Sequence, residues 1–113
     1  MYMEGPAEAA PGDTVVYTLR YEVKDVPGTG VVVVIPNYIE YLSSRLVAGN
    51  GQVTSEPESG DIALRWGLDR GTGILEVVLR VPEGTAIDQF TVGAEESGTQ
   101  TTQTLPVVTT IVR

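Results

Sequence analysis

The chain has 113 residues, of which 42% are apolar, and a net charge of −8. That length is enough for one domain with a core of its own. A chain this acidic lacks the basic patch that nucleic-acid backbones and anionic membranes require, so neither partner is expected. It contains no cysteine and no histidine, which excludes disulfides, thiol chemistry and the most common general base and metal ligand.

Residues 1–10 are predicted to form a leader or a first edge strand, and residues 11–113 a single β-sandwich domain. The leader lacks the basic start and the apolar run of a signal peptide. No apolar stretch approaches the length of a membrane span. If the protein is exported, we expect this chain to be a piece of a longer precursor.

The clearest strand follows the turn signal Pro11-Gly12-Asp13. Apolar side chains occupy alternate positions from Val15 to Val23, and this spacing predicts one buried face and one exposed face. The same alternation in later segments defines a predicted core made of Val15, Tyr17, Leu19, Tyr21, Trp66, Leu75, Val77 and Leu79. The intervening charged residues predicted to be exposed are Arg20, Glu22, Arg65 and Arg80.

The apolar run at residues 31–35 predicts a strand that is buried on both faces or covered by a neighbouring loop. Residues 37–42 are either one helical turn or an irregular crossing between sheets. Further strands are predicted at 45–48, 62–66, 75–81, 90–94 and 104–112, with turns or loops at 49–51, 56–61, 68–73 and 96–98. Short strands separated by turn signals, with no sustained helical period, predict an all-β, immunoglobulin-like sandwich of about seven antiparallel strands.

The order of these motifs resembles a known family. The motifs are Pro11-Gly12-Asp13 followed by Thr14-Val15-Val16-Tyr17-Thr18, the run 31–36 ending in proline, the segment 38–42, the strand 62–66 ending in tryptophan, and the strand 73–81. They are similar to the conserved-repeat domain of bacterial and archaeal surface proteins, catalogued as domain of unknown function eleven. The chain departs from that pattern at residues 24–28 and at Val33, where the family usually has Asn-Thr-Gly and Asp. The resemblance implies an immunoglobulin-like module, often repeated in tandem as a spacer or adhesive stalk, and no enzymatic activity.

Three aromatic residues are candidates for sugar binding. Trp66 could stack on a sugar ring, but it shares its alternation with Ile62 and Leu64, and this favours a place in the core. Tyr38 and Tyr41 are weaker candidates for a surface platform.

Glu56, Glu58 and Asp61 lie in one predicted loop and could ligate Ca²⁺ through their oxygens. Their spacing matches no known calcium-loop motif, so a solvated acidic loop is the expected state. The pair Glu95-Glu96 is a weaker candidate of the same kind. We therefore assign no metal ligands and expect stability to be independent of Ca²⁺.

Lys24 is the only lysine and could in principle form an amide cross-link to an Asn or Asp side chain. Its position at the end of the first strand, on the polar side, predicts an exposed residue without a cross-link. Two acids could also hydrolyse a glycoside, but the short loops offer no pocket-forming insertion. We assign no catalytic residue and no cofactor.

These observations predict a non-catalytic structural or adhesive spacer module, excised from a larger cell-surface or secreted protein. Its expected partners are the neighbouring domains of that protein, with a surface protein or a glycan as further candidates. The alternative is a carbohydrate- or calcium-binding β-sandwich module.

Overall fold

The computed structural model describes residues 2–23, 30–36, 38–49, 51–55, 62–68, 71–84, 86–97 and 107–113. It describes side chains at residues 2–21, 31–36, 38–49, 72–84, 86–94 and 107–113. These ranges contain ten strands: β1 (Tyr2–Glu4), β2 (Glu8–Ala9), β3 (Thr14–Val23), β4 (Gly30–Ile35), β5 (Glu40–Ala48), β6 (Gly51–Ser55), β7 (Ile62–Leu68), β8 (Gly71–Arg80), β9 (Gln89–Ser97) and β10 (Val107–Val112).

The strands form two sheets, a four-stranded one in the order β1-β3-β8-β5 and a six-stranded one in the order β2-β10-β9-β4-β7-β6. Within them, the orders β1-β3-β8-β5 and β4-β9-β10 correspond to the two sheets of an immunoglobulin constant-type domain. The β6–β7 hairpin extends the larger sheet beyond β4. The predicted all-β sandwich is confirmed, but the described residues form ten strands instead of about seven. One pair, β2 with β10, is parallel.

Three short strands add to the seven predicted ones. β1 and β2 lie within residues 1–10, for which an edge strand was one of the two predicted alternatives, whereas β6 was not predicted. Each is short, and β6 is largely polar, so none carries an alternation long enough to reveal it. They form because a neighbouring strand offers unpaired backbone groups, as β7 does for β6. Both β1 and β2 lie at sheet edges, and each contributes a side chain to the core, Met3 and Ala9.

The core lies between the sheets and is built from the inward faces of both. Strands β3 and β8 pair over their whole length, from Thr14 opposite Arg80 to Val23 opposite Gly71. The predicted core residues with described side chains are all buried: Val15, Tyr17, Leu19, Tyr21, Leu75, Val77 and Leu79. Arg20 is exposed as predicted and Arg80 is half-buried. The side chains of Trp66, Glu22 and Arg65 lie outside the described set.

Strand β4 is fully buried on its inner face and partly buried on its outer face. Val31, Val33 and Ile35 are inaccessible, whereas on the other face Val32 is buried and Val34 is 39% exposed. After β4 the chain turns at Pro36, whose carbonyl accepts a hydrogen bond from the Ile39 N–H at 3.1 Å. It then joins the other sheet as β5. A crossing between sheets, one of the two predicted alternatives for residues 37–42, is therefore observed, but it is shorter than predicted because residues 40–42 already belong to β5.

Three predicted turns are shorter than expected, and in the one at residues 49–51 Gly51 already belongs to β6. Strand β7 extends to Leu68 and β8 begins at Gly71, so Gly73 lies within a strand. There it is covered by the ring of Tyr21, its partner across the ladder. Strand β9 likewise continues to Ser97, through part of the predicted turn at residues 96–98.

The Pro11-Gly12-Asp13 turn is formed as predicted. The Asp13 N–H donates to the Ala10 carbonyl at 3.0 Å, and Gly12 has φ +89°. Proline at the second position and glycine with positive φ at the third are typical of a type II turn. The Gly12 N–H donates to the carbonyl of Val81 at 2.7 Å, which joins the turn to the end of β8.

Candidate functional site

A buried hydrogen-bond relay connects the two sheets. The Thr110 hydroxyl in β10 donates to the Pro6 carbonyl at 2.8 Å. Since a hydroxyl has one proton, it must accept its second bond from the phenol of Tyr17 in β3. Neither Tyr17 nor Thr110 has any solvent-exposed surface. We call these three residues the cross-sheet tie.

The tie is surrounded by apolar packing. The ring of Tyr17 meets Phe90 edge-on, with centroids 6.3 Å apart. Burial raises the pKa of Tyr17 above its ordinary value of 10.0. Gly5 lies against the same ring so closely that a Cβ atom there would overlap it. The segment from Gly5 to Ala7, which carries the chain from β1 in one sheet to β2 in the other, is thereby fixed over Tyr17.

The two ends of the chain lie at opposite ends of the sandwich. Tyr2 pairs with Arg20 near the end of β3, where β8 begins, and we call this the Gly71 end. The Arg113 N–H donates to the Ala9 carbonyl at 2.9 Å, beside the turn that starts β3. Because Thr14 pairs with Arg80, this opposite end is the Arg80 end. The sandwich measures 45 × 24 × 24 Å.

At the Arg80 end the first and last parts of the chain are bonded to each other. Strands β2 and β10 run parallel, with Ile111 opposite Glu8 and Val112 opposite Ala9. The Ile111 N–H donates to the Ala7 carbonyl at 2.9 Å. An ion pair between the Arg113 guanidinium and the Glu8 carboxylate, at 2.5 Å, reinforces the same contact.

A groove of about 370 Å³ opens at the Gly71 end of the smaller sheet. We call it the end groove; its lining residues are Tyr2, Arg20, Tyr21, Ala48, Thr72, Gly73 and Ile74. Gly73 and Tyr21, whose ring lies against Gly73, are both part of this lining. The sequence did not indicate this groove, because Tyr2 and Arg20 are brought together only by the pairing of β1 with β3.

Of the aromatic candidates from the sequence, Tyr38 and Tyr41 have described side chains. Tyr38 is 47% exposed in the crossing between β4 and β5. Tyr41 is half-buried against the core, and its hydroxyl is bonded to Ser44 at 2.6 Å. The side chain of Trp66 is not among those described, so its predicted burial stays a prediction.

The acidic and lysine candidates fall outside the described part of the chain. Glu56, Glu58, Asp61 and Lys24 are outside the described residues, and the side chains of Glu95 and Glu96 are outside the described set. Among the residues that are described, no group of three or more carboxylates is placed to hold a metal ion. The predictions on Ca²⁺ and on a Lys24 cross-link remain open to measurement. Within the described ranges, no helix has the length and apolar character of a membrane-spanning segment.

The sheet orders define the chain as an immunoglobulin-like β-sandwich. It is similar to the crystal structure of an uncharacterized protein from Nocardia farcinica that has an immunoglobulin-like fold. The TM-score is 0.50 at 17% identity, over 97% of this chain and 96% of the other. That likeness confirms the predicted fold class and carries no functional statement. No protein-family model matches the chain.

Proposed function

We propose that the protein is a non-catalytic structural or adhesive spacer module of a larger cell-surface or secreted protein. The proposal agrees with the resemblance to the conserved-repeat domain of surface proteins. Its neighbours in the parent protein are then its main partners.

One observation supports this proposal above the others: the chain enters the sandwich at the Gly71 end and leaves it at the Arg80 end. The six residue-to-residue steps from Thr14 to Arg20 along β3 alone separate these levels by roughly 20 Å. When the chain enters a module at one end and leaves it at the opposite end, consecutive modules line up and each adds its length to a stalk. A module whose ends lie side by side would add a branch instead.

The pairing of β2 with β10 gives such a module resistance to tension. Pulling the chain ends apart draws β2 towards the Gly71 end and β10 towards the Arg80 end. Because the two strands are parallel neighbours, their hydrogen bonds lie across the direction of pull and share the load. The cross-sheet tie joins the segment before β2 to β10 and to β3.

Spacing can be tested with a fusion of two copies, in which Arg113 of the first is followed directly by Met1 of the second. Small-angle X-ray scattering should give a maximum dimension approaching twice the 45 Å length of one copy. A maximum dimension close to that of a single copy would mean that the modules fold back on each other, and would overturn the in-line spacer.

The proposed location needs a separate measurement. Antibodies raised against the folded domain should label intact cells of the source organism or should detect the protein in its culture medium. Labelling that appears only after the cells are permeabilised would contradict a surface or secreted module.

A further inference from the structure

We propose that the end groove binds a neutral pyranose sugar. Tyr2 would be the stacking platform and Arg20 would donate to one sugar hydroxyl. Glu4, which lies beside the groove next to Arg20 and is not one of its lining residues, would accept from the adjacent hydroxyl. This binding activity goes beyond the spacer function and does not depend on it.

The wall of the groove is one continuous row of side chains across the smaller sheet. Tyr2 pairs with Arg20, Arg20 with Ile74, and Ile74 with Ala48. Directly paired residues have Cβ atoms about 5 Å apart, so the four side chains form one surface. Ala48 is small, and the resulting space of about 370 Å³ lies within the range of small-molecule sites.

Tyr2 supplies an exposed aromatic face. Its side chain is 51% exposed on β1, the edge strand of the sheet. A pyranose has one face of C–H groups, which packs on an aromatic ring while its hydroxyls remain available for hydrogen bonds. Ile74 adds an apolar side chain to the wall on the other side of Arg20.

Arg20 and Glu4 face each other without a hydrogen bond. The Arg20 Nε atom is 4.0 Å from Glu4 Oε1, and both side chains are about half exposed. By contrast, Arg45 and Glu76 are in hydrogen-bond contact at 3.1 Å, as are Arg113 and Glu8 at 2.5 Å. The Arg20 guanidinium therefore keeps donors, and the Glu4 carboxylate keeps acceptors, for a ligand. Adjacent sugar hydroxyls match this set, because each hydroxyl can both donate and accept.

The charges favour a neutral ligand. The Arg20–Glu4 pair has no net charge, and the whole chain carries −8, which repels anions at long range. An acidic sugar would meet both that field and the Glu4 carboxylate. A neutral pyranose is repelled neither by the net negative charge of the chain nor by the Glu4 carboxylate.

The test is a titration of the ¹⁵N-labelled chain, followed by amide chemical shifts, with methyl α-mannopyranoside, methyl β-glucopyranoside and methyl β-galactopyranoside. Glycerol serves as the control for non-specific hydroxyl binding. We expect at least one pyranoside to shift amides at residues 2–4, 20–21, 48 and 72–74 selectively. No such shift with any of the three sugars, or equal shifts with glycerol, would overturn the proposal.

Two variants locate the site. Tyr2→Ala and Arg20→Gln should each weaken binding of the active sugar at least tenfold, whereas Tyr38→Ala should leave it unchanged, since Tyr38 is exposed elsewhere. Retained amide dispersion shows that each variant is folded. Undiminished binding in both groove variants would contradict the assignment. Tighter binding of methyl glucuronide than of the neutral sugars would contradict a neutral ligand. None of these outcomes bears on the in-line geometry of the spacer.

Discussion

The phenol of Tyr17 donates a hydrogen bond to the hydroxyl of Thr110, and the two residues belong to opposite sheets. They are 93 positions apart in the sequence. The Thr110 hydroxyl in turn donates a hydrogen bond to the Pro6 carbonyl, so the relay also holds the segment that connects β1 to β2. A polar pair in an otherwise apolar core fixes how the two sheets meet, because any sliding would leave buried groups unpaired.

Thr110→Val should therefore destabilise the protein by about 2–4 kcal/mol, because it leaves the Tyr17 hydroxyl and the Pro6 carbonyl buried without a partner. Tyr17→Phe should cost only about 1 kcal/mol, since Thr110 keeps its bond to Pro6. Urea unfolding measures both changes. Thr110→Ser is the matched control, and it should be milder than Thr110→Val because it retains the hydroxyl. Equal losses for Ser and Val would show that the tie contributes nothing.

Stability should decline at alkaline pH because of Tyr17. Burial raises its pKa in the folded state above the value of 10.0 that it has when unfolded. The unfolded chain therefore releases this proton first, and stability that is complete below pH 10 is lost as pH rises through the folded pKa. The melting temperature of the parent, recorded from pH 8 upwards, should fall more steeply than that of Tyr17→Phe. Parallel curves for the two proteins would rule out a Tyr17 contribution.

Gly73→Ala should destabilise by about 1–3 kcal/mol, because the added methyl group would overlap the ring of Tyr21 across the ladder. Thr72→Ala, at the neighbouring exposed position of β8, is the control and should change stability by less than about 0.5 kcal/mol. Thermal unfolding of the two variants makes the comparison. A Gly73→Ala protein as stable as the parent would mean that Tyr21 does not cover this position closely.

Trp66 gives an intrinsic probe of the core prediction. Its alternation with Ile62 and Leu64 predicts a buried side chain, so native fluorescence should be blue-shifted and should move to the red on unfolding. Trp66→Ala should then cost about 3–5 kcal/mol. A native spectrum identical to that of the unfolded chain would place Trp66 in water and refute the prediction.

The sequence predicted the strands that carry a long alternation and missed the elements that depend on a partner. The inward face of β3 and β8 was readable because its apolar residues recur at every second position. Thr110 occupies an inward position between Val108 and Val112, but its partner is distant in sequence. Only the folded structure shows that the Thr110 hydroxyl lies against the phenol of Tyr17.

The end groove was unpredictable for a related reason. Tyr2 belongs to residues 1–10, which were predicted only as a leader or an edge strand of unspecified register, and Arg20 was predicted simply as an exposed residue. Their meeting depends on the register of β1 against β3, in which Tyr2 stands opposite Arg20. A shift of one residue would turn Tyr2 to the core face and remove the platform.

Single-molecule pulling tests the in-line spacer most directly. The chain has no cysteine, so single thiol handles can be placed at will. Handles at Tyr2 and Arg113 load β2 against β10 in shear, whereas handles at Glu83 and Arg113, both at the Arg80 end, peel β10 from β9 one bond at a time. We predict a clearly higher unfolding force in the first geometry, lowered by Thr110→Val. Equal forces in the two geometries, or an end-to-end force that Thr110→Val leaves unchanged, would contradict a module built to carry tension along its axis.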